Sequence, residues 1–145
     1  MADRRGFVAW DEADFHGTDP AAVWVVVGDP DRLPQWAGVQ AVHWSGDLPK
    51  VGDDLSVEVS GSDIAVRVAD WEAGRRYRVE LQGVRWVDGA QLECAVESLV
   101  ESNRPGAHVR IQFGATTERW RVPLVRMMAQ RRIKKAVSTL RRLAG

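Results

Sequence analysis

The chain has 145 residues, 45% hydrophobic and 28% charged, with 13 Gly and 6 Pro. At roughly 150 residues per domain this is one domain, residues 1–145, and the composition excludes disordered, collagen-like and coiled-coil chains. Formal net charge is zero but unevenly placed: residues 1–118 carry all 20 acids and a net charge of −9, whereas residues 119–145 carry nine bases and no acid.

The longest apolar run, Ala21 to Val27, is far short of the roughly 20 residues that cross a bilayer, so no integral membrane segment is expected. The pair Arg4 and Arg5 is followed by neither an export h-region nor a cleavage site, which points to the cytoplasm. One cysteine, Cys94, allows no internal disulfide, and the three histidines have no paired metal-ligand spacing. No metal or other cofactor is expected.

In chain order, Gly6 to Phe15 reads as an opening strand. Asp19-Pro20 and Asp29-Pro30 then place an N-cap before a proline at the first helical position, predicting helices over Pro20 to Val27 and Pro30 to Trp36, with Gly28 ending the first. From Val39 the apolar period becomes 2, as in Leu55-Val57-Val59, Ile64-Val66-Val68, Tyr77-Val79-Leu81, Leu92-Cys94-Val96 and Val109-Ile111-Phe113. Turn residues at Leu48–Gly52, Ser60–Asp63, Ala73–Gly74, Val87–Gly89 and Asn103–Gly106 divide six antiparallel strands.

A last helix over Val122 to Leu143 has one apolar stripe, Val125, Met128, Ile133, Ala136, Val137, Leu140 and Leu143, opposite Arg126, Arg131, Lys134, Lys135, Arg141 and Arg142. It is the one predicted element large enough to cover an apolar sheet face. Its cations either complement the helix dipole and lie over acidic strands or form a docking face for an acidic partner or lipid surface.

The stretch Asp19-Pro20-Ala21-Ala22-Val23-Trp24, Asp29-Pro30 and Trp36, the Val51-Gly52-Asp53 strand opening and the hairpin from Val68 to Tyr77 together resemble the START-like (SRPBCC) helix-grip superfamily. That superfamily includes polyketide cyclases, lipid-transfer domains and birch-pollen allergen proteins, and the resemblance covers nearly the whole chain. It implies an α+β fold of order β-α-α-β-β-β-β-β-β-α, a curved antiparallel sheet around a long C-terminal helix. It also implies a cavity between them for a lipid, an isoprenoid or an aromatic polyketide. The expected ligand-binding residues are Trp36, Trp44, Tyr77, Cys94, Ser98, Phe113, Trp120, Leu124 and Met128.

A polyketide cyclase or dehydrase acting on a carrier-bound poly-ketone is the alternative. It needs inward-facing donors and acids, for which Tyr77, Cys94, Ser98, His43 and Arg67 are the candidates, with no catalytic residue identified. The acidic groups Asp53-Asp54, Asp11-Glu12-Asp14 and Glu93-Glu97-Glu101 read as solvated rather than as an acid/base pair. A third reading is a ligand-free interaction module working through the basic helix, whose partner is an acidic carrier protein. The acidic body and the absence of aromatic interleaving in the helix's C-terminal half argue against nucleic acid.

Overall fold

The computed structural model describes residues 3–44, 46, 49–99 and 103–144. Leu48 and Glu101 lie outside the described residues. The order is β1 (Arg4–His16), α1 (Pro20–Val27), a 3-10 turn (Pro30–Arg32), α2 (Leu33–Trp36), β2 (Ala41–His43), β3 (Asp54–Val59), β4 (Ser62–Glu72), β5 (Arg76–Gln82), β6 (Asp88–Ser98), β7 (Gly106–Glu118), a second 3-10 turn (Arg119–Arg121) and α3 (Val122–Ala144).

Both Asp-Pro starts form as the sequence predicts, Asp19 accepting from the Ala21 N–H at 2.9 Å and Asp29 from the Asp31 N–H at 3.0 Å. Gly28 caps α1, and the Trp24 indole folds back over it, so a Cβ there would lie 2.7 Å from the ring. The second predicted helix is divided. Pro34 has no N–H to return to the Pro30 carbonyl, so the chain makes a 3-10 turn and restarts as α2.

The seven strands form one antiparallel sheet in the order β1-β7-β6-β5-β4-β3-β2, so the first strand closes against the last. Registers Ala9↔Phe113, Leu92↔Phe113, Val79↔Leu92, Val68↔Val79 and Leu55↔Val66 carry one apolar face across the sheet. The β3–β4 hairpin turns on two residues, Ser60 and Gly61, at φ 52° and 78°, the left-handed pair that matches strand twist. Ser62 and Asp63 therefore already belong to β4. The turn expected at Val87–Gly89 is also displaced, since Asp88 and Gly89 open β6 and Asp88 pairs with Thr116. A register shift between Val68 and Asp70 bends β4.

α3 covers the inner face mainly over β1 and presses Val125, Ile133, Val137 and Leu140 into the core. The free edge of β1 is closed by its Gln130, whose Oε1 accepts from the Trp10 N–H at 3.2 Å and whose Nε2 donates to the Trp10 carbonyl at 2.5 Å. Met128 does not belong to the buried stripe. At about 100° per residue it falls roughly 120° from the middle of the buried line, and it is 42% exposed. Leu143, at the helix's last turn, is exposed as well.

The bases of α3 do not lie over acidic strands as expected: among the described residues none pairs with a carboxylate. Carboxylates of the sheet's outer face instead pair within the sheet, in Arg67–Asp54 at 3.0 Å, Arg76–Glu72 at 3.1 Å and Arg4–Asp88. His108 on β7 sits between two β1 carboxylates, with Nδ1 2.5 Å from Asp14 and Nε2 3.1 Å from Glu12. The Asp14 hydrogen bond raises the imidazole above its usual value, partial burial pulls it back, and Glu12 adds to the rise.

Two outcomes follow from this packing. Leu140, fully buried, should cost about 2–5 kcal/mol in chemical unfolding when changed to Ala. For His108 the folded-state pKa exceeds the unfolded one, so its ion pairs stabilise fully below the free value of 6.5 and fade as pH rises through the folded value. The stability gap between wild type and His108→Gln should be largest in acid and close in alkali. A gap that widens with pH would contradict the assignment.

Candidate ligand-binding site

Three segments distant in sequence converge at the C-terminal half of α3. The N-capped turn and Pro34 bring α2 against it, and Gly38, at φ 71°, reverses the chain just beyond Trp36. The β3–β4 turn supplies Ser60 from the other side. α3 contributes Arg132, Lys135, Ala136 and Thr139, whose spacing of 3, 4 and 7 puts them on one helical face.

The resulting groove has a volume of about 480 Å³. Pro34, Trp36, Ala37, Gly38 and Ala136 give it apolar walls, and Gln35, Ser60, Arg132, Lys135 and Thr139 give it polar ones. Arg132 Nη2 donates to Ser60 Oγ at 3.1 Å, tying the helix to the hairpin tip. Two cations and no carboxylate line it, so its potential is positive. Trp36 is 4% exposed, and its indole N–H is buried without an acceptor, a state that costs about 1–3 kcal/mol.

Of the expected site residues, only Trp36 lines this groove. Tyr77 and Cys94 are brought together, as direct cross-strand partners on the buried inner face, and Phe113 lies further across the same face with its ring 6.1 Å from Phe7. Trp71, its direct partner on β4, stacks on Tyr77 at 5.2 Å, and Trp24 of α1 stands edge-on to it at 6.0 Å. Burial pushes the Cys94 thiol up to about 12 and the Tyr77 phenol well above its usual value, so both are neutral near pH 7 and the thiol is no nucleophile.

The remaining expected residues lie elsewhere. Trp44 is half-buried just beyond β2, and Ser98 is exposed at the end of β6 although its parity matches Cys94. Trp120, in the turn before α3, is exposed, and so are Leu124 and Met128, which lie outside the helix's buried arc. His43 is exposed, and Arg67 is held on the outer face by Asp54, whose hydrogen bond raises its pKa. None of Pro34, Gln35, Ala37, Gly38, Ser60, Arg132, Lys135, Ala136 and Thr139 was expected to bind ligand: the sequence marks Ser60 only as a turn residue, Lys135 as part of the charged helix face and Ala136 as part of the apolar stripe. The available signal was the small side chains of Ala136 and Thr139 one turn apart beside Arg132 and Lys135.

No protein-family model matches the sequence, and no curated protein is significantly similar to it. Solved structures do match. A protein of uncharacterized function from Bacillus thuringiensis superposes with a TM-score of 0.77 at 16% identity, covering 94% of this chain and 98% of its own. A START superfamily protein from Mycobacterium smegmatis gives 0.75 at 12% identity, covering 94% and 96%. Truncated norcoclaurine synthase from Thalictrum flavum gives 0.67 at 13%, covering 97% and 96%. With its curved seven-stranded antiparallel sheet closed by a long C-terminal helix, the chain has the START-like helix-grip fold.

Proposed function

We propose that this protein binds a small apolar molecule carrying an anionic group, with the groove between α2, the β3–β4 turn and α3 as its site. The observation that carries this reading is the combination of apolar walls with Arg132 and Lys135 in a concavity of about 480 Å³ that no carboxylate lines. That volume falls within the roughly 300–1,000 Å³ of small-molecule sites. A START-like fold fits ligand binding. Among the lipids, isoprenoids and aromatic polyketides the sequence suggests, the two cations favour those bearing a carboxylate or phosphate.

The cyclase alternative calls for a titratable group at the reacting carbon. None of its candidates, Tyr77, Cys94, Ser98, His43 and Arg67, lines the groove, so simple binding is the better-supported reading.

Titration with a fluorescent fatty acid and with its methyl ester tests this, alongside native mass spectrometry of protein purified without denaturation. Lys135→Ala and Arg132→Ala should each weaken the acid about tenfold, equivalent to about 1.4 kcal/mol, and leave the ester unchanged. Ala136→Phe should reduce binding of both by filling the groove. Equal affinity for acid and ester in wild type, or unaltered binding in Ala136→Phe, would refute the assignment.

A further inference from the structure

The outward side of α3 has two unlike halves. Trp120, just before the helix, is 70% exposed, and Leu124, Met127 and Met128 follow at 50%, 43% and 42%. At about 100° per residue these side chains share one side of the helix with Arg131, Lys134 and Arg142, further toward its C-terminus. None of the seven bases of α3 meets a carboxylate among the described residues. The carboxylates nearest Trp120 are already engaged: Asp3 with Arg119 at 3.6 Å, and Glu118 with Arg121 at 3.9 Å and with the Trp120 indole N–H at 2.6 Å. Arg121 lies over the Trp120 ring, 4.8 Å from its centroid.

We infer that this side of α3 docks on an anionic lipid bilayer. Charge complementarity names the occupant: residues 119–145 carry nine bases and no acid, and the body carries −9, so an anionic surface attracts this face and repels the rest. A soluble acidic macromolecule would satisfy the bases alone. A bilayer satisfies both halves, because the tryptophan and the flexible apolar side chains can enter the boundary between headgroups and acyl chains while the bases remain among the headgroups. The binding is peripheral: among the described residues no helix is long and apolar enough to cross a membrane. The inference is independent of the groove's ligand.

Co-sedimentation with vesicles of phosphatidylcholine alone, or with added phosphatidylglycerol, tests it, and soluble polyglutamate serves as a competitor. Wild type should sediment only with the anionic vesicles and dissociate as salt rises. Arg131→Glu with Lys134→Glu, which spares every groove residue, should lower partitioning at least about 25-fold, at roughly fivefold per cation. Leu124→Ser with Met128→Ser keeps every charge and should lower it about tenfold through lost apolar burial. All four positions are exposed, and thermal unfolding checks that the variants fold. No sedimentation of wild type at low salt overturns the inference. So does unchanged partitioning of the Leu124/Met128 variant, or complete displacement by polyglutamate, either of which would make the face a site for an acidic macromolecule such as a carrier protein.

Discussion

One geometric demand governs this molecule: a curved sheet with a continuous apolar face must be covered by helices, and only one of them is long. The face runs from Phe7 and Ala9 on β1 to Val57 on β3, and the other helices, of eight and four residues, are too short to cover it. α3, with 23 residues, closes it by lying chiefly over β1. Because β1 is an edge strand, the helix also closes the edge, and Gln130 hydrogen-bonds the exposed N–H and carbonyl of Trp10 where another strand would have been. The position of α3 thus follows from both the apolar face and the open ladder.

A helix so placed has a narrow buried arc. Val125, Ile133, Val137 and Leu140 fill it, and everything about a third of a turn away is released. On one flank the C-terminal half meets α2 and the β3–β4 turn without filling the space between, because Ala136 and Thr139 are small. On the outward side the N-terminal half leaves Leu124, Met127 and Met128 in solvent. The groove and the exposed apolar strip are two consequences of one docking geometry.

The parts legible in the sequence were those governed by local rules. Alternation of apolar residues identified the sheet's inner face, and Asp-Pro pairs located both helix starts. Local signals failed where pairing outranked them. Asp88-Gly89 has the composition of a turn but serves as the start of β6, because Thr116 holds Asp88 in the ladder. Met128 fits a 3.6-residue period, but periodicity does not give the width of the buried arc, which depends on how far the sheet curls. The groove was hardest to read. Its walls come from three segments separated by more than twenty residues each, and Gly38, Ser60 and Lys135 are residue types that ordinarily line open solvent.

Charge placement separates stabilising from functional roles in the same way. Exposed pairs such as Arg67–Asp54 and Arg76–Glu72 add little to stability, but each engages a carboxylate of the outer sheet face. His108, between Asp14 and Glu12, engages two more of these carboxylates. These acids are matched on the sheet itself, and among the described residues none of the others pairs with a base of α3. The helix therefore keeps its positive field at the groove and along its outward side, although the chain as a whole is neutral. Redistributing the same residues would leave the net charge unchanged and remove both positive sites.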